Sequence, residues 1–233
     1  MTDPLMEHVE RGEPAALLAR SLDLLDGMVA GAPPLLRWYV PASAALVLGR
    51  GQRLDEVATD LPVLRRHSGG GAVLFDADLL SLDLVLAAGH PLADGDLGAV
   101  FLAVGDAWAA ALGELGVGEL TVHRGPAAGR LGGADPLRAA ICYAAPGRGE
   151  VLHDGRKLVG LAQRRRRHGV LVQCGLLWRW RPAVLLAAFG ADPADPAIHA
   201  AAVGLHDLLD HPPGQAAVVA AVDRAVRNSV KRV

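Results

Sequence analysis

Three consecutive glycines between two apolar runs are the first feature that could support chemistry. Gly69, Gly70 and Gly71 follow two arginines and a serine in the stretch that starts at Arg65 and ends at Asp76. Glycine lacks a Cβ and lets backbone N–H groups approach a ligand closely, while arginine is suited to carboxylates and phosphates. A flexible hairpin tip beside a solvated charge pair would give the same pattern. The stretch therefore predicts either an anion-binding connection or a simple turn.

A lysine within a predicted hairpin is the second feature. Lys157 and Lys231 are the only lysines in 233 residues, and arginine carries almost all of the positive charge. The Asp-Gly pair at 154–155 is a strong hairpin signal and puts Lys157 on a strand face that also carries apolar residues. A lysine on such a face is costly unless its charge meets a partner or a ligand. The alternative is that its side chain extends to solvent.

Cysteines offer the third feature, because a thiolate is a strong nucleophile. The chain has two, Cys142 and Cys174. If Lys157 faces Cys142 across adjacent strands, its ammonium could favour the thiolate and stabilise a developing oxyanion. A small buried apolar residue is the ordinary alternative for a free cysteine. For Cys174 that alternative is the preferred interpretation.

Composition limits the classes of protein that these residues can serve. With 52% hydrophobic and 21% charged residues, 233 residues suit one domain with a sizeable core. A net charge of −2 gives no electrostatic argument for binding nucleic acid or an anionic membrane. No apolar run reaches the roughly 18 residues that span a bilayer, and no signal peptide is recognisable at the start. The late histidines have no metal-site spacing. We therefore expect a cytoplasmic protein without a metal, a membrane segment or a nucleic-acid partner.

Short strands joined by hairpins, with long helices at the start, middle and end, predict an α+β fold. Its mixed, mostly antiparallel sheet should be flanked by helices. Helices are expected at residues 13–30, 97–115, 182–189 and 216–228, and strands at 35–40, 44–48, 61–66, 72–75, 81–87, 119–123, 139–143, 150–153, 156–163 and 170–178. Residues 125–135 should form a surface loop. The basic run 164–167 should be a solvated loop or, alternatively, a surface for an acidic partner.

Two segments taken together resemble a known catalytic domain. One reads Arg-Arg-x-Ser-Gly-Gly-Gly-Ala-Val from Arg65, and the other reads Asp-Gly-Arg-Lys-Leu-Val-Gly-Leu-Ala-Gln and ends at Gln163. With Leu-Gly-Arg-Gly-Gln at 48–52, they resemble the domain shared by lipoate–protein ligases and protein octanoyltransferases, which is related to biotin–protein ligase. The resemblance covers about residues 35–177. It implies one class II biotin/lipoate ligase-like catalytic domain over 1–233, with about 182–233 as a short helical C-terminal extension.

The resemblance also implies which residues act. In that family the glycine triplet and its arginine line the pocket for a lipoyl or octanoyl group, and the strand lysine contacts the acyl carbonyl or an activated ester. The implied catalytic residues are Cys142 and Lys157. The implied substrate-binding residues are Arg65, Arg66, Ser68, Gly69, Gly70, Gly71, Ala72, Gly160 and Gln163.

Two chemistries occur in the family. Cysteine-dependent octanoyltransferases carry a Cys-Phe-x-x-Pro segment, which Cys142-Tyr-Ala-Ala-Pro146 resembles. Their thiolate takes the acyl group from an acyl carrier protein and passes it to a lysine of a lipoyl-domain protein, without ATP or metal. Lipoate–protein ligases instead use ATP with Mg to form an acyl-adenylate, and often need an accessory domain. A non-catalytic binder of acylated carrier proteins is the third alternative.

Several positions depart from the family pattern, among them the Tyr-Ser of the following strand, which appears here as Ser81-Leu82 or nearby. Phe75 and Cys174 stand where the family usually has histidine, and Leu161 stands where it has a small residue, usually serine. These changes make the implied pocket less polar. They disfavour handling of an adenylate more than binding of an acyl chain.

Overall fold

The computed structural model describes residues 9–126 and 135–231, which fold around two sheets. The strands are β1 (Val9–Gly12), β2 (Leu35–Pro41), β3 (Ala45–Leu48), β4 (Val63–Arg65), β5 (Val73–Phe75), β6 (Leu79–Ala87), β7 (Leu120–Val122), β8 (Val151–His153), β9 (Arg156–Arg166) and β10 (Gly169–Leu177). The helices are α1 (Pro14–Asp26), α2 (Pro91–Asp94), α3 (Ala99–Glu114), α4 (Pro136–Ala140), α5 (Ala183–Ala188), α6 (Pro196–His199) and α7 (Gln215–Lys231). None of the helices in the described ranges is long and apolar enough to cross a bilayer.

The larger sheet has seven strands in the order β1-β2-β6-β10-β9-β8-β7, and the smaller has the order β4-β3-β5. In the larger sheet only the β1–β2 pair is parallel. In the smaller sheet β3 pairs in parallel with β4 and antiparallel with β5. The predicted fold class, a mixed and mostly antiparallel sheet flanked by helices, is confirmed.

Helices α3 and α7 cover one face of the larger sheet. In α7 the buried valines recur at helical spacing (Val218, Val222, Val226 and Val230) and join the same apolar cluster as Trp108 of α3. Each fully buried valine contributes about 1.5 to 3 kcal/mol relative to an exposed one. The C-terminal helix is therefore part of the main core.

The opposite face of the sheet is hollow at its centre. Side chains on paired strands share a face when their residues are in register, and one such row runs Tyr39, Ser81, Gly175 and Gly160 across four strands. Three of these four residues are small. Helix α1 and the smaller sheet lie over this face, so the row of small side chains leaves room for a pocket between the layers.

Two local predictions are wrong. Residues 139–143 do not form a strand: α4 ends at Ala140, and a 3₁₀ turn covers Cys142–Ala144. The helix begins because Asp135 caps it, accepting a hydrogen bond from the Leu137 N–H, and Pro136 follows at its first position.

The basic run is also not a loop. Strand β9 continues to Arg166, and Arg164 to Arg166 pair with the first residues of β10. An arginine is accommodated at the end of β9 because the Arg166 guanidinium forms an ion pair with Asp26 of α1 at 3.2 Å. The predicted loop 125–135 falls mostly outside the described residues.

Candidate active site

An apolar pocket opens in the hollow between the two sheets. Its walls include Leu18 of α1, Val73 and Phe75 of β5, Gly160 of β9, and Cys142. The cavity has a volume of about 80 Å³, several times the minimum that one water molecule needs. Cys142 is half-buried, so a thiol stands in the wall of an apolar pocket.

Tyr143 occupies the space that two glycines leave open. Its hydroxyl donates a hydrogen bond to the Gly175 carbonyl at 2.7 Å. A Cβ on Gly160 would lie 3.1 Å from the Tyr143 ring, and a Cβ on Gly175 would lie 2.8 Å from its hydroxyl. Burial raises the pKa of Tyr143 well above its usual value, which keeps the phenol a neutral donor. The group that packs closely against the Gly160 backbone is therefore the Tyr143 ring.

The glycine segment holds the backbone on which Cys142 lies. The Ala72 N–H donates to the Ala140 carbonyl at 2.7 Å, and the Cys142 N–H donates to the Ala72 carbonyl at 2.9 Å. A Cβ on Gly71 would come within 2.6 Å of the Ala140 oxygen, closer than real Cβ contacts. Gly71 is therefore required because another stretch of the same chain packs against it.

The cation beside the thiol is Arg66. Its buried guanidinium donates to the carbonyls of Gly69 and Gly71 at 2.9 and 2.8 Å. The same Nη2 atom lies 3.9 Å from Cys142 Sγ. The two carbonyls fix the direction of the guanidinium. At this position it can stabilise negative charge on sulfur or on an oxygen of a bound acyl group.

Lys157 contacts the Cys142 backbone and not the thiol. Its ammonium donates to the Cys142 carbonyl at 2.7 Å and pairs with Glu150 at 2.7 Å. It also lies 4.9 Å from the centroid of the Tyr143 ring. Lys157 is 2% exposed and Glu150 is 4% exposed, so each charge needs the other. The expected approach of the ammonium to the thiol across adjacent strands is wrong, because Cys142 lies in a turn and Glu150 draws the ammonium inward.

Glu150 is held on its other side by backbone donors. It accepts from the Gly147 N–H at 2.5 Å and from the Leu161 N–H at 3.0 Å. Lys157, Glu150 and these two N–H groups form one connected buried unit beneath the turn that carries Cys142. No local pattern in the sequence indicates this pair.

The other predicted site residues of the glycine segment differ in their exposure to solvent. Ser68 is buried and contacts Gln173 at 3.2 Å, and Ala72 is buried below the segment. Arg65, Gly69 and Gly70 are exposed.

Gln163 lies away from the pocket. It pairs with Val172, which belongs to the core beneath α3 and α7. Its amide donates to the Leu97 carbonyl at 3.0 Å. Of the predicted set, Arg66, Gly160 and Cys142 line the pocket. Gly71 and Ala72 pack against the segment that carries Cys142, and Lys157 lies beneath it.

A buried carboxylate near the pocket was not predicted. Asp83 accepts hydrogen bonds from Ser21 at 2.6 Å, Arg37 at 3.0 Å and Tyr39 at 3.0 Å. Burial raises the pKa of the Asp83 carboxyl, and the hydrogen bonds from Ser21, Tyr39 and Gln173 and the Arg37 charge oppose that rise. An aspartate within the apolar run 79–87 was the available signal, because a carboxylate buried in a strand needs partners.

Cys174 lies between the apolar pocket, which it lines, and the core. Cys174 is buried in the core beneath α3 and α7, and burial raises the pKa of its thiol to about 12, so the thiol stays protonated. The preferred interpretation of Cys174 as a core residue is confirmed. Within residues 9–126 and 135–231, no three His, Cys, Asp or Glu side chains are arranged to hold a metal ion.

Comparisons with known proteins agree on one family. The sequence model of the lipoyl protein ligase A/B catalytic domain matches residues 13–225. An octanoyltransferase LipM from Moorella thermoacetica is 36% identical over 159 residues, which are 65% of this chain and 56% of that protein. The chain spans between 53% and 64% of the length of the curated relatives that it matches.

Solved structures share the fold. A lipoate-protein ligase A bound with ATP aligns with a TM-score of 0.74 at 20% identity, over 96% of this chain and 83% of that one. A bi-partite lipoate protein ligase from Thermoplasma acidophilum, studied with its E2 lipoyl domain, aligns with a TM-score of 0.72 at 20% identity, over 96% and 81%. With the family model matching nearly the whole chain, this protein belongs to the lipoyl protein ligase A/B catalytic domain family.

Proposed function

We propose that this chain transfers an octanoyl or lipoyl group from a thioester donor to a lysine of a lipoyl-type acceptor domain, through a thioester on Cys142. The observation that carries the proposal is the thiol itself, which is half-buried in the wall of an apolar pocket with the Arg66 guanidinium 3.9 Å from its sulfur. The similarity to octanoyltransferases LipM supports the transfer of an octanoyl group.

The proposed reaction has two balanced steps. The Cys142 thiolate attacks the carbonyl carbon of the donor thioester, a new carbon–sulfur bond forms, and the donor sulfur leaves as a thiolate that takes a proton. The neutral amine of the acceptor lysine then attacks the carbonyl carbon of the acyl-enzyme, an amide bond forms, and the carbon–sulfur bond breaks. The Cys142 sulfur leaves and takes up the proton that the amine loses. Arg66 is the fixed cation for charge that develops in both steps.

Lys157 has a supporting role in this proposal. Its charge is neutralised by Glu150, and its contact to the active segment is the Cys142 carbonyl. It therefore fixes the turn that presents the thiol. A direct contact with the acyl carbonyl, as the family resemblance implies, stays a prediction.

An ATP-dependent lipoate ligase is the alternative function, and one solved relative is bound with ATP. Two observations favour the thioester route. The buried lysine that would face an acyl-adenylate is paired with Glu150, and the pocket wall carries Phe75 in place of a polar ring.

Donor selection tests the proposal. The chain is mixed with a lipoyl domain and either octanoyl-loaded acyl carrier protein without ATP, or octanoate or lipoate with ATP and Mg. Mass spectrometry of the lipoyl domain then measures acylation. We expect acylation from the carrier protein alone. Acylation only in the ATP reaction would identify a ligase, and binding of the carrier protein without any transfer would identify a non-catalytic binder.

The glycine segment gives a separate prediction. Gly71→Ala places a methyl group 2.6 Å from the Ala140 carbonyl oxygen, and the strain should cost about 1 to 3 kcal/mol of folding free energy. It should also shift Cys142 and lower the acyl-transfer rate by on the order of 10²-fold, as ångström-scale misplacements of reacting groups do. Steady-state kinetics and thermal unfolding measure both effects.

Gly69→Ala is the matched control for that variant. A Cβ on Gly69 meets no atom within 4 Å, so its rate should stay within about twofold of the parent protein. Equal rates for the two alanine variants would contradict the role assigned to Gly71.

A further inference from the structure

A second cavity adjoins the acyl pocket on the side of α1. It has a volume of about 270 Å³ and lies between α1, the segment that follows β4, and the ends of β9 and β10. Leu18, Arg66 and Gln173 line both cavities. The two spaces therefore share a wall, and a ligand held at Cys142 lies next to the second cavity.

The walls of this cavity are positively charged. Arg65, Arg66, His67 and Arg164 line it, and no aspartate or glutamate does. The nearest buried carboxylate, Asp83, is paired with Arg37, and Asp26 of α1 is paired with Arg166. The cavity thus carries three guanidinium groups with no carboxylate of its own.

Two of these guanidinium groups have unused hydrogen-bonding capacity. The Arg66 guanidinium already donates hydrogen bonds to the carbonyl oxygens of Gly69 and Gly71. Across the described part of the chain, neither Arg65 nor Arg164 makes an ion pair, and the Nε of Arg164 is buried without an acceptor. A buried donor of a charged group that lacks an acceptor is costly. A planar guanidinium in such a position is suited to a phosphate.

We propose that this cavity binds the phosphate of the phosphopantetheine arm of the acyl donor. The inference rests on the proposed function, because a thioester donor delivered to Cys142 carries its phosphate on the arm that follows the sulfur. Ala162 lines the acyl pocket, and Arg164 follows two residues later on the same face of β9, about 7 Å along the strand. The acyl chain occupies the apolar pocket, and the arm crosses the shared wall at Arg66.

Two donors that differ only in the phosphate test this inference. Octanoyl-4′-phosphopantetheine and octanoyl-pantetheine are compared for the rate of acylation of Cys142, at fixed ionic strength because screening would otherwise differ. We expect the parent protein to prefer the phosphorylated donor by roughly tenfold or more, in line with the strength of charge-assisted hydrogen bonds. Arg164→Gln should remove most of that preference.

Arg167→Gln is the matched control. It removes one charge from the same basic run, but Arg167 is exposed and lines neither cavity, so the preference should be unchanged. Equal use of both donors by the parent protein would overturn the inference. So would an equal loss with both donors in Arg164→Gln, or a dependence on Arg164 that appears only with an intact carrier protein.

A binding measurement separates this inference from the proposed function. Isothermal titration calorimetry with 4′-phosphopantetheine and with pantetheine needs no acyl transfer. Phosphate-dependent binding that Arg164→Gln abolishes supports the cavity even if neither donor acylates Cys142. Absence of phosphate-dependent binding in the parent protein contradicts it even if acylation occurs.

Discussion

Cys142→Ala is expected to lower the rate of octanoyl transfer by at least about 10³-fold, because loss of a covalent nucleophile leaves only substrate binding and orientation. The thiol stands in the wall of the apolar pocket beside Arg66. Cys174 also lines this pocket, but burial raises the pKa of its thiol to about 12. Transfer from octanoyl-loaded carrier protein to a lipoyl domain, followed by mass spectrometry, measures the loss.

Cys174→Ala is the matched control for this variant. The Cys174 side chain is buried in the core, and its thiol pKa of about 12 keeps it protonated. Removing it costs packing but not chemistry, so the transfer rate should stay within a few-fold of the parent rate. A Cys142→Ala protein that keeps full transfer activity would show that the covalent route is wrong.

Lys157→Met is expected to lower the free energy of unfolding by about 3 to 5 kcal/mol, because it leaves Glu150 charged and buried without its partner. The Cys142 carbonyl also loses its donor, so transfer should slow in the protein that remains folded. Urea unfolding measures stability, and kinetics are taken well below the unfolding midpoint.

A double variant tests whether the loss of stability comes from leaving one charge of the Lys157–Glu150 pair without its partner. Glu150→Gln combined with Lys157→Met leaves no charge at these two positions, and the glutamine oxygen can still accept from the Leu161 N–H. The double variant should therefore be less destabilised than the sum of the single variants. For comparison, Arg224→Met breaks an equally short but exposed pair with Glu114 and should cost less than about 1 kcal/mol. Additive losses, or similar losses for Lys157 and Arg224, would contradict the buried pair.

Elements with strong local signals were predictable from the sequence. Apolar spacing located α3, and the Asp-Gly pair located the hairpin between β8 and β9. Asp154 and Gly155 adopt positive φ angles of 47° and 73°, as the tight turn of such a hairpin requires. The Asp135 cap and Pro136 that begin α4 were not recognised in the sequence, and a short apolar run after them favoured a strand.

Contacts between distant parts of the chain were not predictable in the same way. Arg66 and Cys142 are 76 residues apart, and only the folded chain brings the guanidinium to the sulfur. Lys157 was expected near that sulfur if the two residues faced each other across adjacent strands. No rule of spacing indicates that its partner is Glu150. The residue types of the site could be read from the sequence, but the assignment of each charge to its partner depends on the tertiary structure.

The most direct test of the central claim is the intact mass of this protein after mixing with octanoyl-loaded acyl carrier protein in the absence of ATP. We expect the mass gain of one octanoyl group, located on the peptide that contains Cys142 and released by hydroxylamine. Addition of a lipoyl domain should then move the group to a lysine of that domain. Octanoylation of the lipoyl domain by a Cys142→Ala protein, or acylation that occurs only when ATP is supplied, would contradict the account.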